Sequence, residues 1–300
     1  MRFGLFCKSF RDDLDRFEVL YQSVLEFNAE QLPFVVSVPS DDRPLFEQRF
    51  GGQGFELVSD EQVVGSADHQ NWRFQQLVKL GAYKLDFADA WMVVDSDAYF
   101  IRRFGKSDFV DPGGDVAMPA SRSLHLYTPE STELLAYIRG QATLSPVTRE
   151  ELTSFKTAPE NLGTIRRVSG LWDRVTKPSA SACLARISRV FQRSGPYLNF
   201  MPGAIWTRGS LESMNSQFLE PRRLDTARLI EHAPWEAVWV GEWELSRGAP
   251  QRFPMEPLLC HFDSDSAIEH ARAQGVTASQ LAERYLGVIL AARHQNILRF

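Results

Sequence analysis

The apolar run Trp-Met-Val-Val at residues 91–94 shows no alternation and stops on an acid, Asp95, which is how a central strand buried on both faces of a sheet reads. It closes a repeating pattern. Residues 3–7 read as a strand, 12–27 as a helix, 34–38 as a strand, 42–50 as a helix, and 71–85 as a helix feeding the run at 91–95. Strand and helix in alternation build an α/β fold, a mixed, mostly parallel sheet flanked by helices. In such a sheet ligands collect beyond the carboxyl ends of the strands, which places the expected site around Lys8 and Asp95.

Residues 127–192 are mainly helical, with Ser, Thr and Pro between the helices, and read as a helical insertion (127–195) within one domain running 1–300. Its arginines, among them Arg166, Arg167, Arg186, Arg189 and Arg193, suit a solvated face or an acidic ligand. Strand-like patterns return at 199–207 and 256–262, so the two halves are expected to share one sheet. A last helix is expected over 277–294, inside a C-terminal segment 277–300. It would set Leu281, Tyr285, Val288, Ile289 and Ala292 in one stripe, suited to core packing, to a homodimer contact or to a membrane surface.

With 38 acidic against 33 basic side chains the net charge is −5, the wrong sign for a protein that coats nucleic acid, so a small-molecule substrate is the default. Cys7, Cys183 and Cys260 lie far apart in apolar contexts and are expected as buried, reduced thiols of a cytoplasmic protein. The late apolar run at 285–292 is far shorter than the roughly 20 residues a bilayer requires. The expectation is no transmembrane segment, with peripheral contact at the inner membrane left open.

Asp95-Ser96-Asp97 carries the chemistry. If the chain stays extended, both carboxylates face one way and Ser96 the other, and two acids then converge on one cation. A hard divalent ion takes oxygen ligands and keeps positions for phosphate and water, which suits a nucleotide-diphosphate site. The motif is short, and Asp263-Ser264-Asp265 shows its other use, a helix N-cap cluster before the helical pattern at 266–273. On the preceding helix Trp72, Gln75, Gln76 and Lys79 fall on one face and Phe74, Leu77, Val78 and Gly81 on the other. The first face is either solvated or a binding face: amides for sugar hydroxyls, a Trp ring for an apolar sugar face, an ammonium for phosphate.

Residues 8–10 (Lys-Ser-Phe), 36–39 (Val-Ser-Val-Pro), 72–80 (WRFQQLVKL) and 93–100 (VVDSDAYF) together resemble bacterial glycosyltransferases of the GT-A fold, over most of the chain and least over 127–195. The resemblance implies a Rossmann-like nucleotide-sugar fold. It implies a metal held by Asp97 and by a histidine on a late strand, where His261 fits; Asp95 would touch the ion, a metal-bound water or ribose. Imidazole favours Mn²⁺ over Mg²⁺. It further implies a glycine segment near the acceptor, matched by Gly203, and an acid opening a later helix, matched by Glu236, which in inverting members is the general base. Glu242 and Glu244, in the same helical pattern, compete for that role, and a capping acid is the alternative. Lys8, at the nucleotide edge, would meet phosphate or ribose or stay in solvent, and Ser96 would face the donor.

The implied activity is metal-dependent sugar transfer from a nucleotide-sugar donor, UDP-linked by family habit, to a hydroxyl of a bacterial glycan, glycolipid or metabolite. An inactive nucleotide-sugar or glycan-binding module is the main alternative. An aspartyl phosphatase fits less well, because Tyr99 stands two residues beyond the second acid. Trp235, Trp239 and Trp243 recur every four residues, first of all a core stripe.

Overall fold

The computed structural model describes residues 1–51, 53–65, 72–123, 125–165, 180–193, 197–291 and 299–300. The first part alternates as expected: β1 (Phe3–Lys8), α1 (Leu14–Phe27), β2 (Phe34–Val38), α2 (Arg43–Phe50), β3 (Glu56–Ser59), α3 (Asp60–Val64), α4 (Trp72–Gly81) and β4 (Ala90–Asp95). These four strands are parallel in the order β3–β2–β1–β4, and β8 (Ile205–Thr207) closes the edge antiparallel to β4. Every residue of β1 and β2 is buried, because helices cover both faces and no position is left for alternation. On one face α1 turns Phe17, Leu20 and Val24 inward, and the Phe17 ring lies 5.2 Å from Phe46 and 5.1 Å from Phe50 of α2. The edge strand β3 went unread because only Leu57 and Val58 in it are apolar. Register sets Lys8 opposite both Ser37 and Asp95, so the carboxyl ends of β1, β2 and β4 are level.

A second sheet runs β5 (Ala98–Phe100), β11 (Gly287–Leu290), β10 (Leu259–Phe262), β7 (Leu126–Tyr127). Strand β10 is parallel to β11 and β7, and β11 is antiparallel to β5. Only Ser96 and Asp97 separate β4 from β5, so the acid-bearing turn is the hinge between the two sheets. Leu290 N donates to Asp97 O at 2.9 Å and fastens that turn to β11. A parallel pair, β6 (Val116–Pro119) and β9 (Arg252–Met255), packs beside them. The remaining helices are α5 (Thr132–Ile138), α6 (Arg149–Ser154), α7 (Ala180–Val190), α8 (Arg208–Ser213), α9 (Thr226–His232), α10 (Glu236–Ser246), α11 (Asp265–Ala273) and α12 (Ala278–Arg284). The fold is the mixed, mostly parallel α/β sheet flanked by helices, with helical insertions, that the pattern predicts, a Rossmann-like arrangement in keeping with the GT-A type.

Three expectations are corrected. The halves do pair with each other, but not in a single sheet: β8 joins the first and β10 the second, because the turn after β4 ends the first sheet. The C-terminal helix is short. It stops at Arg284, Tyr285 is extended (φ −124°, ψ 153°), and residues 287–290 form β11. Leu281, Tyr285 and Val288 are fully buried and Ile289 nearly so, which removes this stripe from any dimer or membrane contact. Helical spacing was misleading because a strand covered on both faces has no period of its own, and Val-Ile-Leu favours extended backbone. Within the insertion, Arg193 is not a solvated charge but pairs with buried Glu242 at 3.1 Å. Arg166, Arg167, Ala292 and His294 lie outside the described residues.

The three cysteines are buried and unbridged, as expected. Ser264 caps α11 by accepting from Ala267 N, so the second Asp-Ser-Asp is the cap cluster it was read as. Among the described residues no helix is long and apolar enough to cross a membrane.

Gly287 holds the second sheet closed. A Cβ there would sit 2.4 Å from Tyr99 O and 2.8 Å from Leu259 Cδ2, and backbone cannot move aside. Gly287→Ala is therefore expected to cost about 1–3 kcal/mol through overpacking. Urea unfolding of the two proteins checks it; equal midpoints would show that β5 and β11 are not this close.

Candidate functional site

The carboxyl ends of β1, β2 and β4 open into a cavity of about 980 Å³. Strand β10 brings His261 to it from the second sheet. His261 stands opposite Leu126 of β7 and Ile289 of β11, and all three side chains line the cavity as one row. Burial holds the His261 imidazole below its ordinary pKa despite the pull of Asp95 and Asp263. It is therefore neutral at pH 7, the form that ligates a metal or accepts a hydrogen bond.

Helix α4 supplies Trp72, Gln75, Gln76 and Lys79 to the lining, as its polar face predicts, together with Phe74 from the other face. Lys79 does not reach for phosphate. Its Nζ lies 2.6 Å from Asp95 Oδ1 and 3.3 Å from Glu236 Oε1, joining β4 to the first turn of α10. Burial pushes the ammonium down, but Asp95 and Glu236 outweigh it and hold Lys79 above its ordinary value. Burial pushes Glu236 up, and the neighbouring Asp95 adds to this; Lys79 offsets only part. A buried carboxylate with a raised pKa and a fixed cation beside it is poised to take a proton. Glu242 and Glu244 are ruled out as substitutes: Glu242 accepts from Ser188 and Arg193, Glu244 pairs with Arg252 at 2.9 Å, and neither lines the cavity. Trp239 and Trp243 are core, as expected, whereas Trp235 lines the cavity.

Lys8 is buried, not solvated. It pairs with Asp60 at 3.0 Å, and Ser37 Oγ donates to the same carboxylate at 2.6 Å. Ser96 does not face away from the acids. The chain turns at 96–97, extended alternation ends with Asp95, and Ser96 lines the cavity with its Oγ donating to Asp13 Oδ2 at 2.6 Å. Gly203 is not part of the lining. At φ +76° it turns the chain after a cis Met201–Pro202 bond, its Cα side packed on Met92 and Leu259, and Met201 and Pro202 reach the cavity instead.

Sequence reasoning missed Arg11, Asp13, Asp42, Asp60 and Asn199, all in the lining. Arg11 Nε pairs with Asp42 Oδ1 at 2.5 Å, and Asp60 opens α3 directly after the capping box Ser59–Gln62. That capping box was a legible signal for Asp60; Asn199 had none.

Among the described residues seven carboxylates and three Lys or Arg side chains line the cavity, and each of these three bases already faces a carboxylate. Asp95, Asp97 and His261 share this lining, yet among the described residues no three His, Cys, Asp or Glu side chains gather into a group that could hold an ion. Lys79 places its ammonium against Asp95, and a resident ion on three protein ligands does not fit the described residues.

No curated protein matches the chain. Two solved structures resemble it in fold. Mouse xyloside xylosyltransferase 1 in its apo form shares 10% identity, with 96% of this chain and 97% of that one covered at a TM-score of 0.43. The apo WbbM bifunctional glycosyltransferase shares 9% identity, with 98% of this chain but 46% of that longer one covered, at a TM-score of 0.49. Residues 5–165, more than half of the sequence and the part that supplies β1, α4 and the Asp95–Asp97 turn, match the family of unknown function DUF6492, and the chain belongs to that family.

Proposed function

We propose that the cavity transfers a sugar from a nucleotide-diphosphate donor, a UDP-sugar first among them, to a hydroxyl acceptor. One observation supports this above the others: Lys79 holds Asp95 and Glu236 together at the carboxyl edge of the sheet, in a cavity that Asp97 and His261 also line. Glu236 takes the acceptor's proton as the acceptor oxygen bonds to the sugar's anomeric carbon and the bond to the diphosphate oxygen breaks. Lys79 holds the Glu236 carboxylate in place and offsets part of the burial that raises its pKa.

Because each base that the described residues bring to the lining is already paired, a diphosphate entering this anionic space is expected to bring its own cation. Mn²⁺ or Mg²⁺ arriving with it would be held by Asp97 and His261 beside phosphate oxygens and water, and would supply charge neutralisation for the departing diphosphate. Asp95, occupied by Lys79, suits a contact to ribose or a bound water.

The experiment is a thermal-shift titration of UDP and UDP-sugars with and without Mn²⁺. A ligand at about 100 times its Kd is expected to add about 2.7 kcal/mol. Asp97→Asn should erase the part of the shift that needs Mn²⁺ and leave the rest. A shift indifferent to the ion, or an Mn²⁺ increment surviving in Asp97→Asn, would remove Asp97 from the site. Donor binding that never leads to hydrolysis or transfer would make the protein a binding module.

A further inference from the structure

Gln76 and Asn199 each present a polar atom that the fold buries and that finds no partner among the described residues. The two residues are 2% and 3% exposed, and both line the cavity. Gln76 Nε2 donates to Trp72 O at 3.2 Å, which fixes the amide and leaves Oε1 unpartnered. Asn199 Oδ1 accepts from Met201 N at 3.3 Å, and its backbone exchanges hydrogen bonds with Ser121 at 2.8 and 2.9 Å; Nδ2 is left over. The partners settle which atom is which, since a carbonyl only accepts and a backbone N–H only donates. Buried polar atoms are almost always paired, so two such orphans in one cavity point to a ligand that completes them.

The missing groups are a donor for Gln76 and an acceptor for Asn199, and a hydroxyl serves as either. A phosphate or an ionised carboxylate offers acceptors alone. It would set oxygen against Gln76 Oε1, in a lining where Lys8, Arg11 and Lys79 are each engaged. Apolar side chains share the lining with them, Phe74, Met201, Pro202 and Trp72, the last 39% exposed. On α4, Gln76 lies one turn from Lys79, which holds Glu236, the group the acceptor hydroxyl must reach.

We infer that Gln76 and Asn199 form an acceptor subsite for an uncharged sugar, one giving a hydroxyl proton to Gln76 Oε1 and accepting from Asn199 Nδ2. Calling the sugar an acceptor rests on the transferase reading; the subsite itself does not. It discriminates against acceptors bearing phosphate or carboxylate at this position.

The test is saturation-transfer NMR on the full chain with methyl glycosides of glucose, galactose, mannose and N-acetylglucosamine, set against methyl glucuronide and methyl galacturonide. UDP binding is measured on the same samples. The expected result is binding of at least one neutral glycoside, at least tenfold weaker binding of the uronides, and roughly three- to tenfold weaker glycoside binding in Gln76→Leu and Asn199→Leu, the loss of one hydrogen bond each. Should a leucine variant fail to fold, Gln76→Met, which removes the acceptor at similar length, and the isosteric Asn199→Asp, which removes the donor, take its place with the same expected direction. Folded variants that bind the glycoside as well as wild type, uronides that bind equally, or no neutral glycoside binding in a chain that binds UDP would each overturn the subsite and leave the transferase reading standing. Glycoside binding sensitive to both substitutions in a chain indifferent to UDP would support the subsite and overturn the transferase reading.

Discussion

Lys79→Met is expected to cost about 3–5 kcal/mol of folding stability near pH 8, the largest effect of any single substitution on α4, because it strands two carboxylates that the fold buries around one ammonium. The Glu236 side chain is 5% exposed and that of Asp95 33%, so the larger share of the penalty falls on Glu236. The pH dependence follows from the directions of the shifts. Lys79 is held above the ordinary lysine value of 10.5, so the stability it contributes is complete below that value and is lost as pH rises through the higher folded value. Glu236 is raised, so the folded state keeps a proton that the unfolded state releases, and its contribution also fades as pH rises through its folded value. Removing the ammonium lets Glu236 climb further. Lys79→Met should therefore lose less at about pH 5 than at about pH 8, because uptake of a proton by a raised Glu236 relieves the stranded charge as pH falls. Urea unfolding at the two pH values measures it. A loss under about 1 kcal/mol at the higher pH, or the same loss at both, would mean that the three groups are not coupled. Lys79→Arg keeps the charge and should recover part of the stability.

Glu236→Gln is expected to lower the rate of transfer by about 10²–10⁴, the usual contribution of a positioned base, while leaving donor binding in place. Stability should hold or rise, since the change removes a buried negative charge while Lys79 keeps Asp95 as its partner. The acid limb of the wild-type kcat/KM profile should lie above the ordinary glutamate range, because burial raises the group that must be ionised. The variant should lose that limb. Neither Glu242 nor Glu244 can take over, because each is committed to a buried arginine on another side of α10. A drop of less than tenfold with the limb unchanged would place the base elsewhere, and parallel loss of donor binding would make Glu236 a structural acid.

Local pattern carried much of this site. The run at 91–94 ends where a central parallel strand ends, and Lys8 and Asp95 prove to be register partners at that edge. The polar face of α4 lines the cavity, and His261 on a late strand faces it. Such features were readable because burial and helical period are printed in consecutive residues. Other features were not. Lys79 and Glu236 are 157 residues apart, and nothing near either one announces the pairing. Gly203 matched a pattern while Met201 and Pro202, its neighbours, do the lining.

What the sequence by itself determined is the set of parts: an α/β chain, the strand that stops on Asp95 and the amphipathic helix before it. Those are consequences of propensity and of which side chains must leave water. The tertiary structure alone decided how the charges are spent. It turned the chain at Ser96, gave Asp95 to Lys79, sent Glu242 and Glu244 to structural arginines, and made residues 287–290 a strand between β5 and β10. A carboxylate's partner is set by which elements the packed core brings within hydrogen-bond reach, and a strand buried on both faces carries no period to betray it.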